Sequence, residues 1–119
     1  MKKIISAFLI TLLLSGCSFL QVKKHDPGLA SGYVYLKVAL NDADCELVDT
    51  LDDSYYAAVW VQEYARFTTD PLVKNTDNIV KYLKSALDAS YDERLTACKR
   101  WLNLVNINMK ILKTDWGTR

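Results

Sequence analysis

Residue types that mark common active sites are scarce in this chain of 119 residues. It has one histidine, His25, and four glycines that stand apart from one another at positions 16, 28, 32 and 117. The sequence has no glycine-rich phosphate loop and no Gly-x-Ser-x-Gly nucleophile motif. We therefore expect a protein that is not an enzyme and that uses no cofactor.

A large excess of charge of either sign is also missing. The chain has 15 Lys and Arg residues against 14 Asp and Glu residues, a formal charge of +1. Nucleic-acid-binding proteins usually concentrate excess Lys and Arg on one face, so we expect no nucleic-acid partner. Half of the residues are hydrophobic and 24% are charged, which is typical of one small globular domain.

The N-terminus has the pattern of an export signal. Lys2 and Lys3 precede an apolar run from Ile4 to Leu14, and the small residues Ser15 and Gly16 follow it. The run has eleven residues, whereas a membrane-spanning helix needs about 20. The pattern therefore predicts a cleaved signal peptide rather than a permanent membrane span.

The four residues Leu14-Ser15-Gly16-Cys17 resemble a bacterial lipobox, the processing signal of lipoproteins. The resemblance implies that the Cys17 thiol receives diacylglycerol, that cleavage precedes Cys17, and that the new amine is acylated, palmitate being the expected chain. It divides the sequence into a signal peptide (1–16), a lipidated cysteine with a tether (17–28) and a domain (29–119). Ser18, rather than Asp, follows the cysteine, which in such lipoproteins implies an outer-membrane anchor, with the domain expected to face the periplasm.

Two cysteines remain in the domain, Cys45 and Cys98. Export to an oxidising compartment and an even cysteine count favour a disulfide between them. The alternative is two free thiols in the core. We predict no metal site, because the sequence has no Cys-x-x-Cys pair and its only histidine is His25 in the tether.

Apolar residues of the domain recur in steps of three and four, which indicates helices. The first stripe occupies positions 29, 33, 36, 40, 43 and 47. Residues 33–40 also alternate as a strand would, but no partner strand follows, so we favour a helix. Further helices are predicted over 53–67 and 77–89, and a last one from a capping box formed by Ser90 and Glu93. The predicted fold is all-α, a bundle of about four helices with one disulfide.

The acidic segment 42–53 imitates a calcium-binding loop. Asp42, Asp44 and Glu46 stand at the first, third and fifth positions of twelve, and Asp53 at the last. The sixth position is Leu47, where such a loop needs glycine for its sharp turn. We therefore interpret the segment as a solvated acidic face rather than a metal site.

Tyrosines cluster in the first half of the domain, where Tyr33 and Tyr35 are near neighbours and Tyr55 and Tyr56 are adjacent. These side chains can fill a small core, but the two members of a pair cannot both face it. Exposed tyrosines are enriched at protein interfaces. The candidate protein-binding surface therefore comprises Tyr35, Tyr56, Asp42, Asp44, Glu46 and Asp49.

The anchor, the small size and the lack of a catalytic motif favour a protein that works by binding another protein. We expect an accessory subunit of an envelope machine, such as a secretion or assembly apparatus. The alternative is a protective binder, an immunity, exclusion or inhibitor lipoprotein that blocks an incoming toxin, phage or plasmid.

Overall fold

The computed structural model describes residues 27–117, which form four helices. They are α1 (Pro27–Asn41), α2 (Val48–Phe67), α3 (Val73–Tyr91) and α4 (Leu95–Gly117). The predicted signal peptide, Cys17, Ser18 and His25 lie outside the described residues. Pro27 and Gly28, which the sequence interpretation assigned to the tether, are the first residues of α1. Proline suits this position because a first-turn N–H has no partner within the helix.

Each helix packs against the next one, and α4 also contacts α1 through a looser seam. The helices therefore form an antiparallel up-and-down bundle, and the predicted all-α fold is confirmed. Residues 33–40 lie within α1, so the helical interpretation is correct and the strand alternative is wrong.

Apolar residues that recur in steps of three and four along α3 and α4 face the core. Fully or almost fully buried residues include Leu29, Leu36, Leu51, Val61, Ile79, Leu83, Val105, Met109 and Leu112. The first predicted stripe is wrong at its end, because Leu47 is 57% exposed. The reason is that α1 ends at Asn41, so the helical phase does not continue to position 47.

Helices α2 and α3 begin five and four residues before the predicted starts at 53 and 77. The residues before them, Leu47 and Leu72, make no side-chain capping hydrogen bond. The sequence therefore lacks the Ser, Thr, Asp or Asn that normally marks a helix start at these points.

Helices α2 and α3 end in the same kind of turn. After α2, Thr69 has a φ of 51°, and the N–H of Asp70 donates to the carbonyl oxygen of Ala65 at 2.9 Å. After α3, Glu93 has a φ of 59°, and the N–H of Arg94 donates to the carbonyl oxygen of Ala89 at 2.8 Å. Both are Schellman-type caps with a left-handed residue, a position usually taken by glycine.

The predicted capping box at Ser90 is wrong. Ser90 lies in the last turn of α3, and its hydroxyl donates to the carbonyl oxygen of Cys45 at 2.6 Å. Glu93 is the left-handed residue of the turn, so it cannot occupy the third position of a helix. The final helix starts later, at Leu95.

Different contacts hold the two ends of the bundle together. At one end, called the disulfide end, Cys45 of the α1–α2 loop is bonded to Cys98 of α4, with 6.0 Å between their Cα atoms. At the other, called the tether end, Gly28 lies against the Tyr64 ring. There the Trp116 Nε1–H also donates to Oδ1 of Asp70 at 3.2 Å. The predicted disulfide is confirmed, and the free-thiol alternative is wrong.

Candidate protein-binding surface

A groove of about 500 Å³ runs between α1 and α2 on the outside of the bundle. Its lining residues are Tyr35, Val38, Ala39, Asp42, Thr50, Asp53 and Tyr56. Three of the six predicted surface residues, Tyr35, Asp42 and Tyr56, therefore lie together.

The two tyrosine pairs divide between core and solvent. Tyr35 is 60% exposed and Tyr56 is 65% exposed. Tyr33 and Tyr55 are half-buried and pack against the core. Burial raises the pKa of the Tyr33 phenol above its ordinary value, because the charged phenolate is poorly solvated there.

Two aromatic side chains of α2 lie over two glycines of α1. The Trp60 ring covers Gly32, and the Tyr64 ring covers Gly28. Trp60 also stacks on Tyr64, with ring centroids 5.4 Å apart and planes 13° from parallel. Because glycine has no Cβ atom, α1 can approach these rings closely while Trp60 stays 50% exposed.

The other predicted acidic residues lie beside the groove. Oδ1 of Asp44 accepts the N–H of Glu46 at 2.9 Å, and the N–H of Asp44 donates to Oγ1 of Thr50 at 2.8 Å. Asp44 therefore shapes the α1–α2 loop. Glu46 and Asp49 are exposed, in the loop and in the first turn of α2.

The structure adds residues that the sequence interpretation missed. Val34 and Val38 of α1 are both more than half exposed. Val34 directly precedes Tyr35, and Val38 lies one helical turn after Val34. Their spacing places them on the face opposite the Leu29–Leu36 stripe. This spacing could have identified them as exposed from the sequence. We call the combined patch the aromatic–acidic surface, and it comprises Val34, Tyr35, Val38, Asp42, Asp53, Tyr56 and Trp60.

A second groove, of about 580 Å³, lies along the seam between α1 and α4. Its lining includes Lys37, Lys110 and Lys113, together with three asparagines, and no carboxylate. By contrast, the chain has seven Asp and Glu residues and no Lys or Arg between Lys37 and Arg66. The two grooves therefore differ in charge, since Asp42 and Asp53 line the first and lysines line the second.

Within residues 27–117, no helix is both long and apolar enough to cross a membrane. In the same part of the chain, no three His, Cys, Asp or Glu side chains come together as metal ligands would.

Comparison with protein-family models gives one match, the prokaryotic membrane lipoprotein lipid attachment site, over residues 1–18. The N-terminus is a lipoprotein attachment site. The protein is therefore a lipoprotein anchored to a membrane of the cell envelope. Searches of the curated proteins and of the solved structures find no significant match.

Proposed function

We propose that this lipoprotein is a non-catalytic, protein-binding accessory subunit of an envelope machine, and that it binds its partner through the aromatic–acidic surface. The observation that carries the proposal is that Tyr35 of α1 and Tyr56 of α2 line the same groove while both are largely exposed. Single exposed apolar residues are ordinary, but a contiguous patch marks an interaction site.

The size of the side chains supports a protein partner. Tyrosine and tryptophan contribute much apolar area while their polar atoms remain able to form hydrogen bonds, and they dominate binding energy at protein interfaces. Trp60 follows Tyr56 by one turn, so the two rings continue one another along α2.

The charge of the surface specifies the partner's chemistry. Asp42 and Asp53 flank the tyrosines, and no Lys or Arg occurs between residues 37 and 66. Complementary charge favours a partner that presents Lys or Arg around an apolar centre. We expect the complex to weaken as salt is raised, since salt screens exposed charges.

Binding by the natively anchored protein tests the proposal. The Tyr35→Ala/Tyr56→Ala variant is compared with Ile107→Ala/Ile111→Ala, which removes exposed apolar side chains from α4. After crosslinking in intact cells, we expect the tyrosine variant to lose its resident envelope partner and the α4 variant to retain it. Equal capture by both variants would contradict the proposed surface. Capture only of a protein that arrives from outside the cell would replace the accessory role by the protective one.

We also propose that Ser18 directs the lipoprotein to the outer membrane, with palmitate among its acyl chains and with the domain in the periplasm. The Ser18→Asp variant should then move to the inner-membrane fraction on density-gradient separation. An unchanged distribution between the two membranes would contradict this part of the proposal.

A further inference from the structure

We infer that the tether end of the bundle rests on the lipid surface and that Phe67 inserts into its interface. Phe67 is the last residue of α2 and is 86% exposed, more than any other large apolar residue of the described chain. This inference concerns a lipid partner and does not depend on the proposed protein partner.

Phe67 lies at the end of the bundle to which the lipid-bearing tether is attached. Pro27 begins α1 ten residues after Cys17, so at full extension it lies within about 35 Å of the lipid-bearing cysteine. Gly28 lies against Tyr64, which is one turn before Phe67 in α2. The start of α1 and the end of α2 are therefore at the same end of the bundle.

The disulfide end lies about 30 Å from the tether end along the bundle, because α2 has 20 residues that each rise 1.5 Å. The exposed carboxylates that concentrate there include Asp42, Asp44, Glu46 and Glu93, together with Asp92, which forms an ion pair with Arg94 at 3.2 Å. An acidic end is repelled by anionic lipid, so this charge distribution favours the disulfide end pointing away from the membrane.

Arg66 offsets part of the negative charge next to Phe67. Arg66 forms ion pairs with Glu63 at 3.3 Å and with Asp77 at 3.0 Å. The nearby Asp70 carboxylate is buried and accepts hydrogen bonds from the Leu72 N–H and the Trp116 indole. An exposed aromatic ring at the end of a helix suits the interface between water and acyl chains.

Because of the lipid anchor, a single inserted ring is sufficient to orient the domain. A lipidated protein is already held at the bilayer, so a second contact forms at a high effective concentration. Phe67 therefore sets the orientation of the domain rather than its affinity for the membrane.

The two Schellman turns supply matched probe positions. Thr69 and Glu93 are both exposed and left-handed, at opposite ends of the bundle. A nitroxide is attached to Thr69→Cys or to Glu93→Cys in the full lipidated protein, where Cys17 carries lipid and Cys45 is bonded to Cys98. The protein is reconstituted in vesicles of phosphatidylethanolamine and phosphatidylglycerol, and collisions with a water-soluble nickel chelate and with oxygen are measured.

We expect the label at position 69 to show several-fold fewer collisions with the nickel chelate, relative to oxygen, than the label at 93. Adding Phe67→Ser should return position 69 toward the value at 93, and an unchanged circular dichroism spectrum would show that the fold is intact. Equal access at both positions, protection at 93, or no effect of Phe67→Ser would each overturn the inference. Protection at 69 without vesicles that grows with protein concentration would also overturn it, since a second copy of the chain would then cover Phe67.

Discussion

The Trp60 ring occupies the space that a Cβ atom would need at Gly32. Such an atom would lie 2.8 Å from Cζ3 of Trp60 and 3.2 Å from Cγ2 of Val61. Gly32 thus lets α1 and α2 approach closely, and the approach brings Trp60 beside the exposed face of α1. The same glycine determines both the packing of two helices and the shape of the aromatic–acidic surface.

Replacement of Gly32 by alanine should destabilise the bundle. Overpacking costs about 1–3 kcal/mol, and the better helix propensity of alanine offsets about 1 kcal/mol of that. In a Trp60→Ala background the ring is gone and only the 3.2 Å contact with Val61 remains, so Gly32→Ala should destabilise the bundle less. Urea unfolding of the four proteins of this cycle measures the coupling, and an identical effect of Gly32→Ala in both backgrounds would contradict the contact.

Removal of the disulfide should lower the free energy of unfolding by about 4 kcal/mol, because the bond closes a loop of more than half the domain. The Cys45→Ala/Cys98→Ala variant tests this by chemical denaturation. Wild-type protein treated with a reductant after unfolding should have the same free energy of unfolding as the variant. If both forms were as stable as the oxidised protein, the bond would have no stabilising role.

Loss of the Ser90 hydroxyl should cost about 1–3 kcal/mol, since Ser90→Ala leaves the carbonyl oxygen of Cys45 buried without this hydrogen bond. Glu93→Ala serves as the control, because the exposed Glu93 side chain would matter only if it capped a helix. Thermal unfolding should therefore separate the two variants. A large loss for Glu93→Ala would favour the capping box over the observed contact.

Replacement of Thr69 by glycine should stabilise the domain by up to about 1 kcal/mol. Thr69 is β-branched and has a φ of 51°, a left-handed conformation that is strained for a β-branched residue but not for glycine. Asn103→Gly is the control, because Asn103 is an exposed residue in the interior of α4 and glycine there should destabilise the helix. A lower melting temperature for both variants would contradict strain at Thr69.

Helices with strong apolar periodicity could be predicted from the sequence, and boundaries without a chemical signal could not. Ile79 and Leu83 of α3 and Val105 and Leu112 of α4 are buried as their spacing indicates, since a repeat of three and four residues faces one side of a helix. The caps at Thr69 and Glu93 were missed because neither position has the glycine that usually marks such a turn.

The candidate surface was only partly visible in the sequence for a related reason. Tyr35 and Tyr56 could be assigned to the outside because their neighbours Tyr33 and Tyr55 compete for the core. Trp60 could not, because its exposure depends on Gly32, a long-range contact between two helices. The acidic run suggested one continuous patch, but Asp44 is used within the loop through its hydrogen bond to the Glu46 N–H.

Site-specific photocrosslinking tests the proposed binding surface most directly. A photoreactive phenylalanine derivative is placed at Tyr35, at Tyr56 or, as a control on the far side of the bundle, at Ile107, in the anchored protein in living cells. We predict that positions 35 and 56 capture the same resident envelope protein and that position 107 does not. Equal capture from all three positions, or capture only from position 107, would contradict binding through the aromatic–acidic surface.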